Sequence, residues 1–298
     1  MHPMIAQASS RLPLQRLCQL AGVVRSSYYR ALHTRPSEPS EANTTLVQEI
    51  RAVCLEWPSY GSPRVTRELH RRGHRVNHKR VARLMREAHL VCRRKKRFVV
   101  TTDSTHTLRV YPNVAKDLVL TRPNQLWRAD ITYVRLPNAF VYLAVVLDAF
   151  SRKVVGWALA RHIDAALTVA ALRMALRGRG RAPGLVHHSD RGVQYASDEY
   201  IRILNDHHIT ISMSRKAAPG DNALAESFMK TVKVEEIYIN DYKTLSHAYA
   251  NIEHFIEIVY NHKRLHSSLA YGTLDEFEAD FNHNPSTLAR PESVATEG

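Results

Sequence analysis

Apolar positions near the N-terminus recur at helical spacing. Leu14, Leu17 and Leu20 lie three residues apart, and a turn containing glycine separates them from a second short helix that starts near Arg25. Two short helices joined by such a turn are typical of a helix-turn-helix unit, which we assign to residues 1–35. Because any helical hairpin has this pattern, it predicts the local fold better than it predicts DNA binding.

A second helical unit is predicted within residues 36–97. The polar, Pro- and Ser-containing segment Thr34–Thr45 is typical of a linker that leads into it. Pro63 suits the first turn of a helix, and Asn77 suits the position that caps one. Three helices are therefore predicted here, over Leu46–Glu56, Pro63–Arg72 and His78–Ala88.

From Asn124 onward the pattern changes to strands that alternate with helices. Runs rich in β-branched and aromatic residues predict five strands, over Leu126–Leu136, Phe140–Asp148, Lys153–Ala160, Leu185–His188 and Ile209–Met213. Helical periodicity predicts four helices, over Ala165–Leu176, Asp198–Asn205, Asp221–Ile237 and Leu245–Asn261. The pattern indicates an α/β fold, with a linker over residues 98–122, a core over 123–237, a helical extension over 238–281 and a disordered tail over 282–298.

The composition is that of a folded protein. The chain has 298 residues, of which 44% are hydrophobic, enough for two or three units with ordinary cores. No apolar run reaches the length that spans a bilayer, and the first residues lack the apolar core of a secretory signal. We therefore expect an intracellular, cytoplasmic protein without a membrane partner. The cysteines Cys18, Cys54 and Cys92 form no CxxC pair, so buried free thiols are expected rather than disulfides or a zinc site.

The excess positive charge lies in the first third of the chain. The formal net charge is +14, and residues 1–110 hold 21 Lys/Arg against 7 Asp/Glu, whereas the remaining residues balance. Such a concentration is expected of a polyanion binder, although a basic domain without a nucleic-acid partner is the alternative. The candidate DNA contacts in this part are Arg25, Arg30, Arg80, Arg93, Arg94, Lys95, Lys96 and Arg97.

Three acidic residues occupy unusual places in the predicted elements. Asp130 interrupts an apolar strand, Asp190 follows a short buried strand, and Glu226 lies within a helix. A carboxylate in a core position is costly unless it is paired or binds a cation. Each one alone has an ordinary explanation, but together they are separated by 59 and then 35 residues.

The spacing and the local motifs resemble those of a known family. The motifs are Trp127–Tyr133, His188–Tyr195, Asp221–Phe228 and Tyr260–Leu269. They are similar to those of the DDE transposases of bacterial insertion sequences, of the second-reading-frame (OrfB) type, within the retroviral-integrase-like superfamily. Leu274 stands where that family commonly has proline, which affects only the local turn. The resemblance implies an RNase H-like catalytic domain, a mixed five-stranded sheet with flanking helices, preceded by all-α helix-turn-helix units.

The resemblance implies metal-dependent phosphoryl transfer at Asp130, Asp190 and Glu226. Mg²⁺ prefers oxygen ligands, Mn²⁺ suits the same donors, and two such ions can stabilise the attacking and leaving oxygens at phosphorus. The family pattern implies two ions, with Asp130 bridging both. It implies water-driven cleavage that frees a 3′-hydroxyl, followed by attack of that hydroxyl on a second phosphodiester.

Further contacts and partners are implied around this triad. Lys233 lies two helical turns after Glu226 and Asn222 one turn before it, which places both on the same helical face. In the family the matching lysine touches DNA, and we include Lys233, Asn222 and Arg191 among the expected DNA contacts. The neighbouring His187 and His188 lack further ligands at zinc spacing, so we interpret them as scaffolding.

The expected partners follow from the same resemblance. They are double-stranded DNA (the terminal inverted repeats and a target), further copies of the chain that pair two DNA ends, and an upstream-frame fusion partner. The location implied is the bacterial cytoplasm, in association with the nucleoid.

Two alternatives remain at this point. A nuclease of the same fold would only hydrolyse nucleic acid, but it would not need two helix-turn-helix units. A non-catalytic DNA-binding regulator would not need an intact set of three carboxylates.

Overall fold

The computed structural model of the chain describes most of its residues. The described ranges are 14–22, 24–26, 28–29, 41–90, 109–180, 182–215 and 218–284. The predicted disordered tail lies outside them beyond Asn284, although its first residues belong to the last helix. No helix within these ranges is long and apolar enough to cross a membrane.

The described chain contains a helical part followed by a sheet with helices on both sides. We number the α-helices α1 Leu14–Leu20, α2 Glu41–Glu56, α3 Ser62–Arg71, α4 His78–Glu87, α5 Ala165–Arg179, α6 Asp198–Asp206, α7 Ala223–Val232, α8 Leu245–His254 and α9 Leu274–His283. The strands are β1 Leu126–Arg135, β2 Phe140–Asp148, β3 Val154–Ala160, β4 Val186–Ser189 and β5 Thr210–Met213. Helices α7 and α8 continue as π-helical segments over Lys233–Ile237 and Phe255–Lys263.

The five strands form one mixed sheet in the order β3-β2-β1-β4-β5. Strands β1, β2 and β3 pair antiparallel as a meander, while β4 pairs parallel with both β1 and β5. The β1–β4 pairing covers only Leu126 to Arg128 of β1, opposite Val186 to His188. Strand β1 is therefore central, and β4 ends beside its middle. This confirms the predicted mixed five-stranded sheet.

Side chains that alternate along β1 face two different helical layers. Ala129 and Ile131 pack with α5 and α6, whereas Val134 packs with α7, α8 and the π-helical segments. Because the side chains of a strand alternate in direction, Arg128, Asp130 and Thr132 face the α7 side with Val134. Asp130 is consequently turned towards the helix that carries Glu226.

The predicted helical extension forms one layer of this core. Phe228 and Val232 of α7 and Ile252 and Phe255 of the α8 segment are buried against the inner face of β1–β3. The Asn261 side chain extends the edge of β3, since its amide nitrogen donates to Val154 O at 3.0 Å and its oxygen accepts from Val154 N at 3.1 Å.

The second helical unit, α2–α4, has its own core and docks on the C-terminal part of the chain. Leu265 is fully buried among the apolar side chains of the three helices. Its backbone N–H donates to the Tyr60 hydroxyl at 2.9 Å. Arg71 also donates to Glu276 on α9, with a nitrogen–oxygen distance of 2.6 Å. The second helical unit therefore packs against the Tyr260–Leu269 motif.

Two sequence predictions are corrected by the helix boundaries. Helix α2 begins at Glu41, so the last residues of the predicted linker are helical. Helix α9 extends to His283, beyond the predicted start of the tail. A capping box formed by Thr273 and Glu276 opens α9, and its Ser/Thr-x-x-Glu signature was visible in the sequence. Of the cysteines, Cys18 is buried and Cys54 partly exposed, and Cys92 lies outside the described residues.

Candidate active site

Asp130 lies in the middle of β1, just beyond the last residue that pairs with β4. Its backbone partner on the other side is Val145 of β2. One carboxylate oxygen accepts a hydrogen bond from the N–H of Ile131 at 2.8 Å. The β1–β4 pairing ends at Arg128, two residues before Asp130, and the Asp130 side chain lies on the face of the sheet that is turned towards α7.

Asp190 follows β4 directly and therefore lies at the same opening. The Gly192 N–H donates to its Oδ1 at 2.9 Å, which fixes the carboxylate over a tight turn. A β-carbon at Gly192 would stand 3.0 Å from that oxygen and 2.9 Å from Oε1 of Gln194. A larger residue here would press on both of these side chains, so glycine suits this tight turn.

Glu226 lies in the first turn of α7, with its side chain exposed. Two hydrogen bonds attach the start of this helix to β1. The Asn222 amide nitrogen donates to Ala129 O at 3.0 Å, and the Arg128 guanidinium donates to Asp221 O. The helix that carries Glu226 is thereby held against the strand that carries Asp130.

The charges of Asp190 and Glu226 both act on the Asp130 carboxylate. The pKa of Asp130 is raised from 3.8 to about 7, first by burial, then by the charge of Asp190 and, to a smaller extent, by that of Glu226. The Ile131 N–H and the Lys233 ammonium lower the pKa in the opposite sense. Repulsion among carboxylates that share a poorly solvated site has this effect. The site therefore holds more negative charge than the protein itself compensates.

Lys233 is the first residue of the π-helical segment that continues α7. Its ammonium lies over the Tyr133 ring, 4.8 Å from the ring centre. Burial lowers the pKa of Lys233, while the nearby Asp130 charge raises it. The side chain is half-buried. Single-turn π segments occur often at functional sites.

The donor chemistry fits a hard divalent cation. All three carboxylates supply oxygen, the ligand atom that Mg²⁺ and Mn²⁺ prefer. Within the described ranges, no three His, Cys, Asp or Glu side chains stand close enough to form a ready metal-binding group. The raised pKa of Asp130 nevertheless marks a deficit of positive charge that a cation would relieve.

The two histidines before Asp190 are uncharged scaffolding in the structure. His187 is fully buried, and its Nε2 lies 2.9 Å from the Tyr200 hydroxyl. His188 bridges the hydroxyls of Ser212 and Ser214 at 2.8 and 3.0 Å. Burial lowers the pKa of His187 to about 3 and that of His188 to about 4. These contacts tie β4 to its neighbours, His187 to α6 and His188 to Ser212 and Ser214.

The structure places the expected DNA contacts in different environments. Arg25 and Arg80 are exposed, and Arg80 donates to Asn43 at 2.7 Å. Arg191 donates through Nε to Ser214 O at 2.7 Å. Asn222 is buried and tied to β1, so it positions α7 and does not face solvent. Five consecutive cations of the basic run lie outside the described residues, as does Arg30: Arg93, Arg94, Lys95, Lys96 and Arg97.

Sequence reasoning missed two residues that shape this site. Arg128 precedes Asp130 by two positions on the same face of β1 and fixes the start of α7. Tyr195 belongs to the second motif, but its buried ring and its closeness to Asp190 depend on a loop that sequence periodicity does not describe. The position of Arg128 could have been found from strand alternation, because it shares the face of Asp130.

Comparison with known families matches both halves of the chain. Residues 41–98 match an HTH-like domain, and residues 121–219 and 207–273 match two integrase core domain families. An uncharacterised 31 kDa protein of insertion element IS600 from Shigella sonnei is 38% identical over 85% of this chain and 94% of its own length. Transposase InsF of insertion sequence IS3A from Escherichia coli K12 is 33% identical over 92% of this chain and 96% of its own.

A solved structure with a similar arrangement is the HTLV-2 integrase catalytic core domain in complex with magnesium. It is 18% identical and aligns with 53% of this chain and 97% of its own, with a TM-score of 0.42.

Proposed function

Since the chain belongs to the family of insertion-sequence transposases with an integrase core domain, we propose that Asp130, Asp190 and Glu226 are its catalytic triad. As a member of that family it is a polynucleotidyl transferase that acts in DNA transposition, cleaving and joining DNA at the ends of an insertion sequence. The triad would hold the divalent cations on which integrase-core enzymes depend.

One observation carries the assignment of the triad. The pKa of Asp130 is raised to about 7 by burial and by the charges of both Asp190 and Glu226, although the three residues come from a strand, a loop and a helix. A fold gains no stability from placing like charges close to a poorly solvated carboxylate. Such an arrangement is expected where a cation and a substrate phosphate complete the site.

A different contact holds each residue of the proposed triad in place. Asp130 is fixed by the sheet, Asp190 by the Gly192 N–H, and Glu226 by the bonds that tie α7 to β1. Bound Mg²⁺ or Mn²⁺, two ions in the proposal, would supply charge neutralisation at phosphorus and a lowered pKa for the attacking water or 3′-hydroxyl. The protein's part is to orient the ligand oxygens before the substrate arrives.

Lys233 is the best-placed cation for a DNA phosphate next to the scissile bond. Its ammonium lies over the Tyr133 ring and interacts with the charge of Asp130, so it is already close to the proposed triad. A lysine acts on phosphate as a point charge and needs no bidentate geometry. We propose that it positions the DNA strand on which the triad acts.

The helical part would bind the terminal repeats, mainly through phosphates, with helix side chains adding sequence preference. Arg25 and Arg80, both exposed, are proposed contacts. Arg191, which follows Asp190, and the cations of the basic run are proposed as further contacts. We also propose that copies of the chain pair two DNA ends and that the active form includes an upstream-frame fusion partner in the nucleoid.

The test is a gel assay with labelled insertion-sequence end DNA and Mg²⁺, run with the full chain. Wild type is expected to give cleaved and joined products. Asp190→Asn and Glu226→Gln should give neither, while their affinity for the DNA changes less than about twofold, because a neutral amide is a poor ligand for a hard cation. The matched control is Glu253→Gln, an exposed glutamate of α8, which should behave as wild type.

The outcomes separate the proposal from its rivals. Cleavage without joining by the wild type would favour a nuclease of this fold. Retained cleavage by Asp190→Asn would refute the assignment of Asp190. Specific DNA binding without any chemistry, with or without a fused upstream segment, would favour a regulator.

A further inference from the structure

Tyr195 carries a buried hydroxyl group without a hydrogen-bond partner beside the proposed triad. The side chain is 2% exposed, and its hydroxyl oxygen is one of the few buried side-chain polar atoms in the described residues that make no hydrogen bond. A buried hydroxyl left in this state costs free energy relative to a partnered one. The position would be filled at lower cost by phenylalanine if the ring served packing alone.

The Tyr195 hydroxyl interacts electrostatically with the carboxylates of Asp190 and Asp130. A point at the β-carbon position of Gly192 lies 3.7 Å from the Tyr195 ring edge and 3.0 Å from Asp190 Oδ1, so the ring and the carboxylate flank the same turn. Besides burial, the charges of Asp190 and, more weakly, Asp130 raise the pKa of Tyr195 well above its ordinary value. The phenol therefore stays protonated and available as a donor.

The neighbouring Tyr200 shows the contrast. Its ring packs edge-on against that of Tyr195 with 5.4 Å between centres, and both rings belong to one apolar cluster. The Tyr200 hydroxyl is partnered, since it lies 2.9 Å from Nε2 of His187. The Tyr200 hydroxyl thus makes a hydrogen bond within the fold, whereas the hydroxyl of the adjacent Tyr195 makes none.

We propose that Tyr195 is a positioning residue whose hydroxyl donates to the Asp190 carboxylate when that carboxylate holds a divalent cation. This rests on the proposed function of Asp190. Carboxylates that bind metals are themselves hydrogen-bonded, and removal of such an outer partner typically weakens metal affinity by about 10–100-fold. In the cation-free protein the Gly192 N–H donates to Oδ1 of Asp190, and the Tyr195 hydroxyl would add a donor to this carboxylate once it holds a cation.

The experiment measures Mn²⁺ binding to the full chain without DNA, by titration calorimetry or by the loss of free Mn²⁺ signal in electron paramagnetic resonance. Tyr195→Phe is expected to bind Mn²⁺ about 10-fold more weakly than wild type. Its cation-free melting temperature should be equal or higher, because the variant removes an unpartnered hydroxyl. Tyr200→Phe is the matched control, with unchanged Mn²⁺ affinity and a melting temperature lower by about 2–4 °C.

Each result decides between defined alternatives. Equal Mn²⁺ affinity in Tyr195→Phe and wild type, with binding lost in Asp190→Asn, would overturn the role of Tyr195 and leave the triad intact. Equal affinity in Asp190→Asn and wild type, or no saturable binding by wild type, would overturn the cation site and this inference together. A melting temperature that falls in Tyr195→Phe with unchanged affinity would assign the hydroxyl to the fold.

Discussion

Replacing Asp130 with asparagine should make the cation-free protein more stable at pH 8. The carboxyl group keeps its proton in the folded state up to about pH 7, whereas its ordinary pKa is 3.8. The folded state thus binds more protons than the unfolded state between these values, so the free energy of unfolding falls as the pH rises through this interval. Well above pH 7 the carboxyl group is ionised in both states, so the free energy of unfolding falls no further. Asparagine has nearly the same shape and cannot ionise, so the variant escapes this loss.

The magnitude follows from the two pKa values. A rise from 3.8 to about 7 sets an upper limit of ~4 kcal/mol at ~1.4 kcal/mol per pKa unit. Because the Asp130 side chain is partly accessible to water, screening reduces the effect, and we expect a gain on the order of 2 kcal/mol for Asp130→Asn at pH 8. The gain should shrink towards zero as the pH falls towards 4.

The assay is urea denaturation at a series of pH values with a chelator present. Addition of Mg²⁺ should stabilise wild type and leave Asp130→Asn nearly unchanged. The difference in the free energy of unfolding between the two proteins should therefore become smaller or change sign. The exposed Glu253→Gln serves as control and should show no pH-dependent gain. A variant that is equally or less stable than wild type at both pH 5 and pH 8 would refute the reasoning, since it would mean that the Asp130 carboxylate carries no electrostatic penalty.

Two further predictions concern packing and buried charge. Gly156→Ala should cost at least ~3 kcal/mol in urea denaturation, because its β-carbon would meet Ala171 O on α5 at 2.2 Å, whereas Gly178→Ala, with open space, should be neutral or slightly stabilising. Arg264→Met should cost about 3 kcal/mol, because the largely buried Glu235 loses its partner at 2.7 Å and keeps only Arg64 at 3.8 Å. Adding Glu235→Gln should recover at least half of that cost, and a double variant no better than the single one would contradict the pairing.

The sheet was predictable because its strands carry local signals. The run from Leu126 to Arg135 is rich in β-branched and aromatic residues, and the structure ends the strand one residue before the predicted boundary. The strand over Phe140–Asp148 has the predicted limits. Sequence periodicity reports these elements since burial and strand geometry act on each position directly.

The sequence also singled out the residues of the proposed triad, but their proximity could not be predicted from it. Spacing and motif resemblance singled out Asp130, Asp190 and Glu226. Only the structure shows that β4 ends beside Asp130 and that α7 is held there through Asn222. The same contact explains why Asn222, expected among the DNA contacts, is buried: helical periodicity gives the face of a residue, not the element that covers that face.

The sequence by itself thus determined the elements, the family and the three acidic residues. These depend on local propensity, on hydrophobic period and on short motifs, all of which are written along the chain. The tertiary structure alone decided the assignment of Phe255 and its neighbours to the catalytic core, the docking of the helical unit on Leu265, and the unpartnered Tyr195 hydroxyl beside Asp190. Each of these joins residues distant in sequence, and the free energy of such contacts depends on which surfaces the folded chain brings together.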